Sequence, residues 1–125
     1  MLSDKNAAVT IAVKDTNAAR KFYEGVLGLK RVPTREEEGV LNYKSGNSSI
    51  LVYESRYAGT NKATAATWVV DDVEGAVKDL KGKGVKFEHY DMPEMTRKGD
   101  IHVSGETHAA WFKDPDGNIL SLVNG

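Results

Sequence analysis

The sequence contains no cysteine, three prolines and no long apolar run. Without cysteine the chain has no disulfide, no zinc–thiolate or iron–sulfur site and no cysteine nucleophile, and it fits a reducing compartment. No stretch approaches the roughly 20 apolar residues of a membrane-spanning helix. The segment from Met1 to Ala8 also lacks the apolar run of a signal peptide. We therefore expect a cytoplasmic protein with no membrane partner.

An excess of charge of either sign is also missing. The 125 residues carry 17 basic and 18 acidic side chains, for a formal net charge of −1. Nucleic-acid-binding domains usually present a strongly basic surface, so no nucleic-acid partner is expected. Forty per cent of the residues are apolar, and a chain of this length can form one compact domain with its own core.

The first half of the chain predicts one strand, one helix and three further strands. Small and β-branched residues over Ala7–Val13 predict the opening strand. Asp15 is suited to cap a helix over Thr16–Val26, in which apolar residues recur every three or four positions, and Gly28 is suited to end it. The following strands are predicted over Leu29–Pro33, Gly39–Lys44 and Ser48–Glu54.

The second half predicts the same order of elements. Thr64–Asp71 predicts a strand, and Asp72 is suited to cap a helix over Val73–Lys83 that ends at Gly84. Asp91–Glu106 is predicted to be a long polar loop, long enough to have a function of its own. The remaining strands are predicted over Val85–Tyr90, Thr107–Lys113 and Asn118–Val123.

The two halves also match residue by residue, which indicates an internal repeat. An offset of 57 residues places Val13, Asp15 and Ala19 on Val70, Asp72 and Ala76. Later in the chain an offset of 69 places Lys44, Ile50 and Leu51 on Lys113, Ile119 and Leu120. The second copy therefore has 12 extra residues, which we place in the predicted loop.

Two segments resemble one protein family. Ala12-Val13-Lys14-Asp15 with Phe22-Tyr23 and Val26-Leu27-Gly28 is similar to the first module of the glyoxalase/bleomycin resistance/dioxygenase (vicinal oxygen chelate) superfamily. Trp111-Phe112-Lys113 followed by Asp114-Pro115-Asp116-Gly117-Asn118 resembles the final hairpin of that family. The resemblance implies a single α+β domain over residues 1–125, with βαβββ modules at about 7–55 and 64–124. Their curved, mostly antiparallel sheets are expected to surround a central cup.

The resemblance also implies where a metal ion would bind. Members that use a metal place one ligand on the first and one on the last strand of each module, usually His, Gln or Glu. The matching positions here are Ala8, Val52, Ala65 and Ser121. Divalent cations are held by carboxylate, imidazole or carbonyl groups, which these side chains lack. We therefore predict no metal ion and no other cofactor.

A cup without a metal ion favours binding over catalysis. We expect a metal-independent protein that binds or sequesters an apolar or aromatic small molecule, and that forms a homodimer. The side chains of each strand alternate between its two faces, and those in phase with the four lost ligands are expected to line the cup. The predicted ligand-contacting residues are Thr10, Val52, Glu54, Thr67, Trp111 and Ser121.

An enzyme is the alternative. It would be a glyoxalase-like lyase or a dioxygenase with displaced metal ligands, or a metal-free isomerase. Glu54, His102 and His108 are the candidate catalytic residues, because carboxylates and imidazoles transfer protons near neutral pH. The spacing His102-x-x-x-Glu106-x-His108 could hold a metal, although a structural role for these residues in a loop is favoured. A purely structural dimer is the third hypothesis.

Overall fold

The computed structural model describes residues 1–32 and 39–125, which form two compact units. The first unit comprises Met1–Thr60 with Pro115–Asn118, and the second comprises Asn61–Asp114 with Ile119–Gly125. Each unit has one sheet of mixed parallel and antiparallel pairs and one main helix, which confirms the predicted α+β class. Within the described part of the chain, no helix has the length and apolarity to span a membrane.

The sheet of the first unit has the strand order β1-β4-β3-β2. Its strands are β1 (Ala8–Val13), β2 (Lys30–Arg31), β3 (Val40–Ser45) and β4 (Ser48–Glu54). β1 and β4 are parallel, and the other pairs are antiparallel. β2 is shorter than predicted, and the predicted strand end at Pro33 lies outside the described residues.

The helix of the first unit begins where the sequence predicts. The Asp15 carboxylate accepts a hydrogen bond of 2.9 Å from the Asn17 N–H and caps α1, Thr16–Arg20. The helix then continues as a π-helical segment over Lys21–Val26. Gly28, with φ of +73°, follows its end and has the left-handed conformation expected of a C-terminal cap.

The core of the first unit lies between its helix and one face of its sheet. The buried side chains on that face alternate along the strands, as β-structure requires: Ile11, Val13, Leu41, Tyr43, Ile50 and Val52. Tyr23 of the π-helical segment packs against Tyr43, with ring centroids 6.3 Å apart. The buried Tyr43 hydroxyl donates a hydrogen bond of 2.7 Å to Glu24, so its polar end is satisfied.

The second unit repeats this arrangement with two more strands. Its strands are β5 (Thr64–Val70), β6 (Phe87–Glu88), β7 (Thr96–Lys98), β8 (Ile101–Ser104), β9 (Thr107–Lys113) and β10 (Ile119–Asn124). The order is β5-β10-β9-β8-β7, and β6 also pairs with β9. The helix α2, Val73–Gly82, is capped by the Asp72 carboxylate, which accepts from the Gly75 N–H at 3.0 Å. Val73 and Val77 are its buried residues.

The prediction of a long loop over Asp91–Glu106 is wrong. Most of this segment forms an antiparallel hairpin, in which β7 pairs with β8 and β8 pairs with β9. The two-residue connection Gly99-Asp100 joins β7 to β8, and Gly99 has φ of +64°. Glycine followed by aspartate between two strands is a known hairpin signal, so the error came from giving too much weight to polar composition.

The turn Asp114–Asn118 connects β9 to β10, and its residues 115–118 belong to the first unit. The Asp116 carboxylate accepts a hydrogen bond of 3.1 Å from the Lys14 N–H, and Asn118 Nδ2 donates one of 2.7 Å to the Ala12 carbonyl. Gly117 has φ of +91°, as expected for glycine at this point of the Asp-Pro-Asp-Gly turn. The turn is therefore fixed to the end of β1.

Candidate functional site

One face of the second sheet brings together several residues that the sequence predicts to contact a ligand. Residues paired across neighbouring strands point to the same face of a sheet. We name this surface the Trp111 face, and it consists of two rows of paired residues: Thr67–Ser121–Trp111–Glu88 and Val69–Val123–Ala109–His102–Arg97. Thr67, Trp111 and Ser121 therefore share one face, as strand alternation predicted.

The Trp111 face combines apolar side chains with two hydroxyl groups, and it also carries the ionisable residues Glu88, His102 and Arg97. Val69 is 69% exposed, Trp111 is half-buried and Ser121 is buried. The hydroxyl oxygens of Thr67 and Ser121 lie 2.6 Å apart, and the Trp111 indole N–H donates to the Thr64 hydroxyl at 3.2 Å. Such a surface can pack against an apolar or aromatic group through dispersion and burial of apolar area.

His102 lies on this face between Ala109 and Arg97, within a cluster of aromatic rings. Its side chain is completely buried. The ring centroid lies 4.9 Å from that of Trp111 in a nearly perpendicular arrangement, and 6.1 Å from that of Tyr90. Tyr90 and Trp111 also meet edge to face at 5.5 Å. We name these three residues the aromatic cluster.

The hydrogen bond to His102 determines its neutral tautomer. The backbone N–H of Tyr90 donates to His102 Nε2 at 3.0 Å, so Nε2 is unprotonated and the neutral ring carries its hydrogen on Nδ1. Nδ1 is buried and has no hydrogen-bond partner among the described residues. Neutral His102 thus presents a donor at Nδ1, whereas a general base must present an unoccupied lone pair.

Tyr90 contributes a second buried donor to the aromatic cluster. Its hydroxyl oxygen is buried and has no partner in the described part of the chain. Burial raises the pKa of the Tyr90 hydroxyl, the negative charge of Glu88 raises it further, and Lys113 opposes the shift. The phenol therefore stays protonated at neutral pH and can donate a hydrogen bond.

An open cavity of about 290 Å³ borders the aromatic cluster. Its lining residues are Tyr90, Asp91, Met92, Pro93, Met95 and Arg97. A second cavity, of about 320 Å³, shares Met92, Pro93 and Met95 and is also lined by Glu94 and Ser104. Unbranched methionine side chains adapt to ligands of different shape. These cavities have the size of small-molecule sites.

The phase predicted for β4 is wrong. The parallel register pairs Ile11 with Val52 and Val13 with Glu54, so Val52 and Glu54 point to the face covered by the helix. Val52 has no exposed surface. Thr10, which was predicted to share a face with Val52, pairs instead with Leu51. The opposite face of the first sheet therefore carries Ala8, Thr10, Ala12, Leu51 and Tyr53.

The wrong phase follows from the length of one turn. Leu51 lies nine positions after its partner Asn42, whereas Ser121 lies ten positions after its partner Trp111, so the second connection is one residue longer. The repeat offset of 69 therefore does not hold in the last strand, where pairing matches Thr67–Ser121 with Thr10–Leu51. A slip of one residue moves a strand residue to the opposite face. The position equivalent to Ser121 is Leu51.

Glu54 has a structural contact that explains its position. Its carboxylate accepts hydrogen bonds from the Thr16 N–H at 3.1 Å and from the Thr16 hydroxyl at 3.3 Å. Unsatisfied N–H groups at a helix start are stabilised by carboxylates. Glu54 thus holds the start of α1 and does not lie on the same face as Thr10.

The three histidines do not form a common site. His102 pairs with Ala109 whereas His108 pairs with Val103, so their side chains point to opposite faces of the sheet. His108 Nδ1 lies 2.7 Å from Glu74 of α2, and His89 Nε2 lies 2.7 Å from Asp100. Hydrogen bonds from its own backbone N–H and from His108 lower the pKa of Glu74, and hydrogen bonds from Lys81 and His89 lower the pKa of Asp100. His108 therefore joins the helix to the sheet.

The residues at the expected metal positions do not fit a metal ion. With Leu51 in place of Val52, the four positions hold two alanines, a leucine and a serine whose hydroxyl is already hydrogen-bonded to Thr67. Within residues 1–32 and 39–125, no three His, Asp or Glu side chains come together as a possible metal-binding group. Neutral hydrocarbon side chains cannot replace the donors that divalent cations need.

Sequence reasoning missed the aromatic cluster. The sequence pattern places Tyr90 at the end of a strand and His102 in a loop, and it predicts no contact between them. Recognition of Gly99-Asp100 as a hairpin connection would have placed His102 on a strand in register with β9. The backbone contact from Tyr90 to His102 joins residues 12 positions apart and depends on tertiary structure.

A model of the Glyoxalase/Bleomycin resistance protein/Dioxygenase superfamily matches residues 6–122 of the chain. None of the curated proteins matches the sequence.

Several solved structures share the fold. A glyoxalase family protein from Enterococcus faecalis is 18% identical, with a TM-score of 0.73 over 99% of this chain and 100% of that chain. A glyoxalase/bleomycin resistance protein from Streptomyces sp. CB03234 is 21% identical, with a TM-score of 0.66 over 94% of this chain and 98% of that one. The fosfomycin resistance protein FosX from Mesorhizobium loti is 14% identical, with a TM-score of 0.67 and coverage of 98% and 92%.

Proposed function

Since this chain belongs to the glyoxalase/bleomycin resistance protein/dioxygenase superfamily, we propose that it binds or sequesters an apolar or aromatic small molecule without a metal ion. The observation that carries the proposal is the Trp111 face. It presents an aromatic ring, aliphatic side chains and hydroxyls, and its Ser121 occupies a strand position where a metal-using relative would have a donor. In this proposal residues 1–125 form one domain, and the protein is a cytoplasmic homodimer.

Trp111 is the proposed contact for an aromatic ligand. Its ring is half-buried, and its indole N–H is held by Thr64, so its orientation is set before a ligand arrives. A preorganised aromatic side chain loses little conformational entropy on binding. The proposed ligand packs on Trp111 and covers Val69 and Val123.

The relatives support a ligand-binding role. Proteins with the same fold include FosX from Mesorhizobium loti and from Listeria monocytogenes, which are named as fosfomycin resistance proteins. The Streptomyces protein is named as a glyoxalase/bleomycin resistance protein. We rank binding ahead of a metal-free lyase or isomerase because Glu54 and His108 are engaged in structural contacts and neutral His102 presents a donor.

The two tryptophans allow a matched test of the proposal. Trp68 pairs with Leu122 on the opposite face of the second sheet, so Trp68→Phe leaves Trp111 as the reporter, and Trp111→Phe leaves Trp68. We expect a planar quinone or an aromatic antibiotic to quench the fluorescence of the Trp68→Phe variant in a saturable manner. The Trp111→Phe variant should show no such change, and calorimetry should show weaker binding.

Metal independence is tested with the same ligands. Protein purified without an affinity tag should contain no stoichiometric Zn, Ni, Fe or Mn, and dialysis against a chelator should leave the calorimetric affinity unchanged. Stoichiometric metal, or binding that disappears on chelation, would contradict the proposal. A silent screen of aromatic antibiotics and quinones would also count against it.

A further inference from the structure

The aromatic cluster contains two buried donors with no acceptor among the described residues. They are the Nδ1–H of His102 and the hydroxyl of Tyr90. Buried polar groups in folded proteins are nearly always hydrogen-bonded, and an exception requires an explanation. Here two buried donors lack an acceptor, and they belong to residues whose rings are neighbours. This indicates a binding position for an oxygen acceptor.

We infer that the aromatic cluster is a subsite for an acceptor oxygen of a planar ligand, and that His102 Nδ1–H and the Tyr90 hydroxyl donate to it. This inference rests on the proposed function and specifies the class of ligand: an aromatic molecule with a carbonyl or carboxylate oxygen. A carbonyl and a carboxylate both have an sp² oxygen, which accepts two hydrogen bonds through its two lone pairs.

The surroundings of the aromatic cluster suit such a ligand. Trp111 belongs both to the aromatic cluster and to the Trp111 face, so a ring packed on Trp111 lies beside the two residues that carry the donors. The cavity beside Tyr90 provides space outside the cluster. Arg97, which lines this cavity and pairs with His102 across β7 and β8, adds a positive charge on the same face.

The proposed route of access to the two buried donors passes the segment Asp91–Met95. Residues Asp91–Met95 belong to the connection His89–Met95 between β6 and β7, and a backbone hydrogen bond within it runs from the Met95 N–H to the Met92 carbonyl at 3.0 Å. This segment lines both cavities next to Tyr90. Loops with few hydrogen bonds to neighbouring elements open at low free-energy cost. The ligand oxygen enters when this segment moves away from Tyr90.

Nuclear magnetic resonance of protein labelled with nitrogen-15 at histidine tests the inference directly. In the free protein, His102 should show a protonated Nδ1 and an unprotonated Nε2. Addition of acetophenone, which has a neutral carbonyl oxygen, or of benzoate, which has an anionic one, should shift the His102 Nδ1 resonance. Ethylbenzene has the size of acetophenone without the oxygen, and it should leave that resonance in place.

Comparison of acetophenone with benzoate shows whether the negative charge of the ligand contributes to binding. A stronger response to benzoate indicates that Arg97 takes part, and Arg97→Gln should then reduce the response to benzoate but not to acetophenone. An equal response to both compounds indicates that the two neutral donors suffice. Either result supports the subsite.

Tyr90→Phe and Tyr43→Phe form a matched pair of variants. Tyr90→Phe removes a phenol without a partner, so the melting temperature should stay the same or rise while acetophenone binds about fivefold more weakly. Tyr43→Phe removes a phenol that is hydrogen-bonded to Glu24, so the melting temperature should fall while the affinity stays unchanged.

Four results would overturn the inference. A Tyr90→Phe variant that melts markedly lower would mean that the hydroxyl has a partner in the free protein. A His102 that carries its proton on Nε2 would remove the donor. Saturable fluorescence quenching by quinones without any shift at His102 on addition of acetophenone or benzoate would leave the proposed binding function standing and exclude this subsite. Absence of all binding would refute both.

Discussion

Single residues of this protein show how most described polar groups in the interior obtain a partner. Asn118 is buried and donates to the Ala12 carbonyl, and buried Ser121 shares a hydrogen bond with Thr67. The exceptions in the described residues are Tyr90 and His102. An unpaired buried donor costs about 1–3 kcal/mol, which is a substantial part of a domain's stability. Such a cost is typical of positions kept for binding.

Gly59 is a position where a side chain has no room. It has φ of +73°, and a Cβ atom placed on it would collide with the backbone carbonyl of Asp116. We expect Gly59→Ala to lower the free energy of unfolding by about 3 kcal/mol, because the left-handed conformation and the collision both oppose the methyl group. Urea denaturation measures the change.

Gly46→Ala is the control for this prediction. Gly46 also has positive φ, +56°, but a Cβ there would meet no other atom within 4 Å. Its replacement should cost about 1 kcal/mol, from the backbone conformation alone. Equal losses in the two variants would show that the contact with Asp116 is unimportant.

Asp100 is expected to make the free energy of unfolding depend on pH in the acid range. Hydrogen bonds from Lys81 at 2.8 Å and from His89 at 2.7 Å hold the pKa of this carboxyl below its usual range. A lowered carboxyl pKa stabilises the fold above the pKa of the unfolded state, and this contribution is lost as the pH falls through the folded-state pKa. Asp100→Asn should therefore flatten the fall in unfolding free energy below about pH 4, measured by urea denaturation.

Lys81→Met provides the comparison for Asp100. It leaves the carboxylate but removes its main donor, so the folded-state pKa of Asp100 should rise towards the unfolded-state value, and the acid loss should become smaller and end at higher pH than in the unaltered protein. An Asp100→Asn variant whose acid profile matches that of the unaltered protein would contradict the predicted coupling.

At the level of elements, the two helices differ by one residue. The N-caps Asp15 and Asp72 are 57 positions apart, whereas the glycines that follow the helices, Gly28 and Gly84, are 56 apart. The first helix therefore contains one extra residue, and it is also the helix with the π-helical segment. A π-helical turn encloses one residue more than an α-helical turn, so it accommodates an insertion without rotating the rest of the helix.

Deletion of Gly25 from the π-helical segment tests this explanation. We expect the segment to become α-helical, with a change in unfolding free energy within about 1 kcal/mol, because the deletion also removes an exposed helical glycine. Circular dichroism melting measures the result. Deletion of Ala76 from the regular α2 is the control.

The control deletion should be much more damaging. Loss of one residue from an α-helix rotates all later residues by about 100°, which would carry the buried Val77 away from the core. We expect a loss of at least about 3 kcal/mol, or complete unfolding. Similar damage from both deletions would refute the one-residue insertion.

On the scale of the whole molecule, the chain passes between its two units three times. It leaves the first unit after Thr60, returns for Pro115–Asn118 and then enters the second unit again. Units connected in this way cannot separate by cleavage of a single linker. We therefore propose that residues 1–125 fold as one domain, even though each unit has its own sheet and core.

Coincident unfolding transitions would support a single domain. Trp68 and Trp111 both belong to the second unit, whereas far-ultraviolet circular dichroism reports the strands and helices of both. Tryptophan fluorescence and circular dichroism should give the same midpoint in urea. A fluorescence transition separate from part of the circular dichroism change would show that the units unfold independently.

Several features of this protein were determined by the sequence alone. The helix caps Asp15 and Asp72, the ends at Gly28 and Gly84 and most strands follow from local signals, since capping, turn geometry and strand alternation act over a few residues. The α+β class and the family follow from the repeat and from the Asp-Pro-Asp-Gly turn. The lack of metal donors at Ala8, Ala65 and Ser121 is likewise a matter of residue type.

Other features were decided only by the tertiary structure. Leu51 takes the place predicted for Val52 because one turn differs in length, and a one-residue slip reverses the face of a strand. Burial of His102 depends on pairing between β8 and β9 and on the Tyr90 N–H, which are contacts between separate segments. Local propensity does not determine this register or these contacts, because they form only when strands pair and side chains pack around one another.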